Sequence, residues 1–162
     1  MVEAMASVIS AHPDAVLVVL GAGSCEDAIK GQIRELGLSG SVRLLGLRDD
    51  VADVLGAADI FVSSSAWEGM PLSILEAMSA GLPVVATDVG DCRALLGETG
   101  VIVPPHAPVA LADAISRLLA DSDRAAQLGP AAKQRALADY GLEQWLSSLM
   151  AVYQRVASAP TP

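Results

Sequence analysis

Two carboxylates set the chemistry open to this chain. Glu68 lies in a polar loop, and Glu76 follows with seven residues between them. Pro71 has a preset φ and no amide hydrogen, so it suits the first position of a helix. Glu76 then stands about a turn and a half inside that helix, roughly 7 Å along its axis. The two carboxylates do not share a helix face. Both border the helix amino end, where unpaired backbone N–H groups and the positive end of the dipole favour an anion such as phosphate. A carboxylate beside a phosphate repels it unless it points at something else, and hydroxyl groups are the natural partner because an ionised carboxylate accepts strong, directional hydrogen bonds from them. The residues read as a site for a molecule with both phosphate and sugar. A solvated loop position for Glu68 and a plain surface position for Glu76 are the ordinary alternative.

The elements that must hold this pair follow one another closely. Ile60, Phe61 and Val62 form an apolar run that breaks into Ser63, Ser64 and Ser65, as a buried parallel strand does at its carboxyl end. Leu72, Leu75, Ala77, Met78 and Ala80 give the helix an apolar face, Gly81 and Pro83 stop it, and Val84, Val85 and Ala86 make the next strand. Trp67 reads as packing the loop.

The chain opens inside a helix, with Val2, Met5, Val8 and Ile9 at helical spacing. A strand over residues 15–20 turns through Gly21, Ala22, Gly23 and Ser24 into a helix over residues 25–36, which Ser24 is placed to cap. Gly21 and Gly23 let a ligand approach the backbone, although a lone GxG is equally a tight turn. A strand over residues 42–45 leaves through Gly46, Leu47, Arg48, Asp49 and Asp50 to a short helix. Val101, Ile102 and Val103 form a fifth strand, ended by Pro104 and Pro105. Five strands separated by helical segments predict an α/β fold: a Rossmann-like, doubly wound parallel sheet with helices on both faces and a helical carboxyl-terminal segment. In that segment one helix begins near Pro108, a second is broken between Leu128 and Leu137, a third spans residues 142–156, and residues 157–162 form a tail. Ligands of such sheets bind outside the strand carboxyl ends. His106, after the fifth strand, reads as an exposed loop histidine near that crevice, and Asp88 and Asp91 as turn formers.

The totals exclude several classes. With 162 residues the chain fits one domain, and a net charge of -9 with only two lysines, Lys30 and Lys133, disfavours nucleic acid and anionic membrane surfaces. No charge-free apolar run approaches the roughly 18 residues of a membrane span. The two cysteines, Cys25 and Cys92, read as reduced thiols of a cytoplasmic protein, and no HxxE, CxxC or DxD pattern makes a metal site.

The stretch SSSAWEGMPLSILEAMSAGLPVVAT resembles the donor-site signature of GT-B glycosyltransferases of the family 4 type, and the likeness spans nearly the whole chain. It implies the nucleotide-sugar-binding half of a retaining, metal-independent hexosyl transferase without further cofactor, over residues 1–156. Glu76 would hold the ribose hydroxyls, and Glu68 would sit by the donor sugar in a catalytic role. The backbone of Gly69, Met70, Pro71 and Leu72 would approach sugar and diphosphate, as would Gly21 and Gly23. Arg48 would lie beside the base, a plain surface arginine being the equal alternative. Asp91 and Ala94 stand where the family often shows a glycine and a Glu, a departure that leaves that turn without a carried-over role.

The family's diphosphate-clamping Arg and Lys follow a central first strand, and its acceptor site occupies an amino-terminal domain. Residue 1 already falls in the helix after that strand, so the resemblance implies an amino-terminally truncated unit, weakly binding and inactive alone. A gap in the sheet, a closed-up sheet or a partner chain is expected there, with self-association through exposed edges. A non-catalytic nucleotide-sugar interaction module and a nucleotide-sugar epimerase of GT-B architecture are the alternatives.

Overall fold

A computed structural model describes residues 1–157, so residues 158–162 of the expected tail lie outside the described residues. The order is α1 (Val2–Ala11), β1 (Leu17–Leu20), α2 (Glu26–Glu35), β2 (Val42–Gly46), α3 (Val51–Gly56), β3 (Phe61–Ser63), α4 (Leu72–Ala80), β4 (Val84–Thr87), α5 (Cys92–Leu96), β5 (Val101–Val103), α6 (Pro108–Ala120), α7 (Ser122–Tyr140) and α8 (Leu142–Ala157). Every strand pair is parallel.

The strands form two hydrogen-bonded pieces instead of one sheet: β1 with β2, and β3, β4, β5 in that order. Neither piece bonds to the other, so β1 and β3 each keep one unpaired edge. Of the three outcomes expected for the centre of the sheet, this is the gap. A shared core spans the two pieces. Leu17, Leu44, Ile60 and Val62 pack against the cluster formed by Val8 of α1, Ile33 of α2, Val85 of β4 and Leu111 and Ile115 of α6.

The opposite face of the larger piece carries a second cluster, from Ile74, Ala77 and Met78 of α4, Val84 and Ala86 of β4, Leu95 and Leu96 of α5 and Ala132 of α7. Alternation along β4 explains the two layers, because successive side chains point to opposite faces. Val84 and Ala86 go one way and Val85 the other, and all four residues of β4 are buried. The smaller piece is covered on one face only: Val16, Val18, Leu45 and Leu47 are exposed.

Several local expectations need correction. Leu72 and Ala80 of the expected apolar face of α4 are exposed, because Ile74, Ala77 and Met78 alone carry its burial. Ser24 caps nothing; Cys25 is the residue before α2 and makes no side-chain cap. Helix α7 runs unbroken through Pro130, with Leu128 and Gly129 on one side of the proline and Ala132 and Ala136 on the other all buried. Packing on both sides of the proline outweighs the lost hydrogen bond. Ala157 is the last residue of α8 and not the first of a tail. In α8 no residue is buried, and Trp145, Leu146, Met150 and Tyr153 are exposed.

Candidate functional site

The loop from Ser64 to Pro71 connects β3 to α4, and the turn after β4 holds it at three points. Thr87, buried at the end of β4, donates from Oγ1 to the Ser65 carbonyl at 2.7 Å. The backbone N–H of Asp91 donates to the Gly69 carbonyl at 3.0 Å. Gly90 closes the contact with φ +50°: a Cβ there would lie 2.5 Å from the Gly69 carbonyl oxygen and closer still to that of Glu68. Only glycine fits this close approach.

Within the loop the Ser65 hydroxyl donates to Glu68 Oε1 at 2.7 Å, so the Glu68 carboxylate is half-buried, oriented and still able to accept further hydrogen bonds. Gly69 and Met70 are exposed, and Pro71 is buried with φ -76°. No side chain caps α4, which leaves its first amides open to a ligand. Glu76 is exposed on the second turn of α4, and its carboxylate has no hydrogen-bond or ion-pair partner among the described residues. Trp67 does not pack the loop: it is 84% exposed, since the loop's contacts run through backbone to the 87–91 turn.

The remaining strand ends are arranged as a second unit. Gly21, at φ +109°, donates from its N–H to the Gly46 carbonyl at 2.8 Å, joining the two loops after β1 and β2. The Gly23 carbonyl accepts from the Glu26 N–H at 3.1 Å as α2 begins. Arg48 forms a two-pronged pair with Asp50, Nε to Oδ1 at 2.6 Å and a second, shorter contact to Oδ2. That pair holds the Asp50 carboxyl below the usual carboxylate range. Arg93 does the same to Asp88 in the turn after β4, with Oδ2 at 2.6 Å. Cys92, buried at the start of α5, has its thiol pushed up by burial, with the negative charges of Glu68 and Asp88 adding to the shift.

A cleft of about 300 Å³ opens at the carboxyl ends of β3, β4 and β5, lined by Ser64, Ala66, Thr87 and His106 and, from α1 and α2, by Glu3 and Gln32. It is bordered by the starts of α1 and α6, by Gln32 of α2 and, through Ser64 and Ala66, by the first half of the 64–71 loop that leads into α4. Glu68, Glu76, Gly21, Gly23 and Arg48 do not line this cleft. The structure thus joins Glu68 to Ser65 and the Gly21 turn to the Gly46 loop, and leaves Glu76 apart from both. Sequence reasoning placed the strand ends holding Ser64, Ser65 and Thr87 at the crevice but gave none of the three a role of its own. Their signal was position, hydroxyl residues at the two strand ends that flank the loop. Among the described residues no three His, Cys, Asp or Glu side chains cluster as they would to hold a metal, and no helix is long and apolar enough to cross a membrane.

Parallel strands packed against helices, with a polar loop running from β3 into α4, form a Rossmann-like domain of the GT-B glycosyltransferase type. The sequence model of the family described as Glycosyl transferases group 1 matches residues 1–121, and the chain belongs to that family. It is 31% identical over 162 residues to the lipopolysaccharide core biosynthesis mannosyltransferase LpsB of Rhizobium meliloti, covering 94% of this chain and 46% of that protein. Among solved structures, sucrose-phosphate synthase from Thermosynechococcus elongatus matches with a TM-score of 0.86 at 29% identity, over 98% of this chain and 43% of the other. Anabaena HepE in complex with UDP matches with a TM-score of 0.80 at 25% identity, over 94% and 44%. The chain spans less than half the length of the curated relatives it matches, and what it aligns with is a GT-B carboxyl-terminal domain.

Proposed function

We propose that the chain binds a nucleoside diphosphate sugar across its strand carboxyl ends. In this reading it is the donor half of a retaining glycosyltransferase that transfers a hexosyl group to an acceptor held by a separate amino-terminal domain, in the cytoplasm and without a metal. The observation that carries the reading is the 64–71 loop, fixed by Thr87, Gly90 and Asp91 and delivering an oriented Glu68 to the uncapped start of α4. The UDP bound by Anabaena HepE supports the same ligand class.

In the transfer, the bond from the sugar's anomeric carbon to the diphosphate oxygen breaks and one to the acceptor oxygen forms on the same face. The diphosphate leaves with the electron pair, and catalysis requires donors aimed at the charge it gains. The N–H groups of Gly69, Met70 and Leu72 supply these at the amino end of α4. Glu68 accepts from the hydroxyls of the sugar and Glu76 from those of the ribose, each as an ionised acceptor. Gly21 and Gly23 admit the nucleotide to the backbone, and Arg48 meets the base with the N–H groups that Asp50 leaves free.

Titration of the chain with UDP, GDP and ADP tests the reading. Saturable one-to-one binding of one of them is the expected result; heat indistinguishable from dilution for all three contradicts it.

A further inference from the structure

Among the described residues His106 is the sole non-glycine residue with positive φ, at +55°. Histidine enters this left-handed region more readily than most residues, yet glycine adopts it without steric penalty. The surrounding chain enforces the turn. Pro105 precedes it with a locked ring, and Pro108 keeps Ala107 out of the helical region, at φ -116° and ψ 74°, as α6 begins. A strained residue persists where its neighbours over-determine it, and such residues gather at ligand sites.

The placement of His106 supplies the second observation, because the residue lines the cleft at the ends of β3, β4 and β5 together with Ser64 and Thr87. Glu3 and His106 are the ionisable side chains of that lining, and Glu3 is engaged by Gln32, whose Nε2 donates to Oε1 at 3.2 Å. Thr87 is engaged with the Ser65 carbonyl. His106 has no hydrogen-bond or ion-pair partner among the described residues. Its N–H is therefore a cleft donor with nothing to satisfy it but water or a ligand.

We propose that His106 is a donor-binding residue whose imidazole N–H bonds a phosphate oxygen of the nucleoside diphosphate. This rests on the function proposed above and adds a side-chain contact to a diphosphate that would otherwise be met by backbone amides. The left-handed turn is retained with histidine, and its strain accepted, because the side chain meets the ligand.

The experiment compares the parent with His106→Gly, which keeps the turn and relieves its strain, by titrating each with the nucleoside diphosphate that the parent binds and with the corresponding free nucleoside. The ratio of the two affinities is the readout, since loss of folded protein lowers both alike. Loss of a hydrogen bond to a charged group corresponds to about a tenfold fall in diphosphate affinity. The expected result is that fall with nucleoside affinity unchanged. An unchanged ratio overturns the assignment while leaving the proposed function intact. Failure of the parent to bind any diphosphate overturns both.

Discussion

Gly90 and Glu68 lie so close that a single methyl group on the first would collide with the carbonyl oxygen of the second. The turn after β4 thus fixes where the site's loop backbone passes, and the loop in turn aims the Glu68 carboxylate. Gly90→Ala must push the loop away and also place alanine at a φ of +50°. A loss of about 1–3 kcal/mol of stability is expected, with weaker nucleotide binding. Thermal unfolding and titration of the same sample check it, and an alanine variant with unchanged binding would separate the loop from the site.

The Ser65 hydroxyl orients Glu68, so Ser65→Ala leaves the carboxylate mobile and removes one hydrogen bond at a half-buried position. Stability should fall by about 1 kcal/mol. Affinity for the nucleoside diphosphate sugar should fall while the fold, followed by circular dichroism, is kept.

Two thiols of opposite environment predict a simple chemical result. Cys25 is exposed, whereas Cys92 is buried and its thiol is pushed up by that burial. The thiolate is the reactive form. One equivalent of a disulfide reagent should react rapidly with native protein, and the second only on unfolding. Rapid reaction of both would mean that the α5 turn beneath Gly90 opens freely.

The Asp88–Arg93 pair sets a pH dependence of known sign. Arg93 lowers the Asp88 carboxyl in the folded state, so the pair's contribution is complete above the unfolded carboxyl value of about 3.9 and is lost as pH falls through the lower folded value. The pair is solvent-exposed and its effect is small. Asp88→Asn should flatten the acid end of a plot of unfolding midpoint against pH and leave the neutral region nearly unchanged.

Much of this arrangement was legible in local sequence. Val84, Val85 and Ala86 announce a strand buried on both faces, Pro71 marks the entry to α4 and Gly81 its left-handed end at φ +86°. What stayed hidden depends on distant contacts. Nothing near Trp67 shows that its loop is held by backbone bonds, which leaves the indole in solvent. Pro130 reads as a helix break until Gly129 is seen against the Gly81 carbonyl, where a Cβ would collide. The fit of Gly90 over Glu68 is likewise a tertiary fact, one that a glycine in a turn does not disclose.

The central claim is that Glu76, exposed and unpartnered on α4, accepts the ribose hydroxyls of a bound nucleotide. Calorimetric titration of the parent and of Glu76→Ala with the same nucleoside diphosphate tests it most directly. An exposed helix position tolerates alanine, so the fold should be unaffected. Loss of charge-assisted hydrogen bonds should weaken binding by about tenfold to a hundredfold; equal affinity in the two proteins would contradict the account.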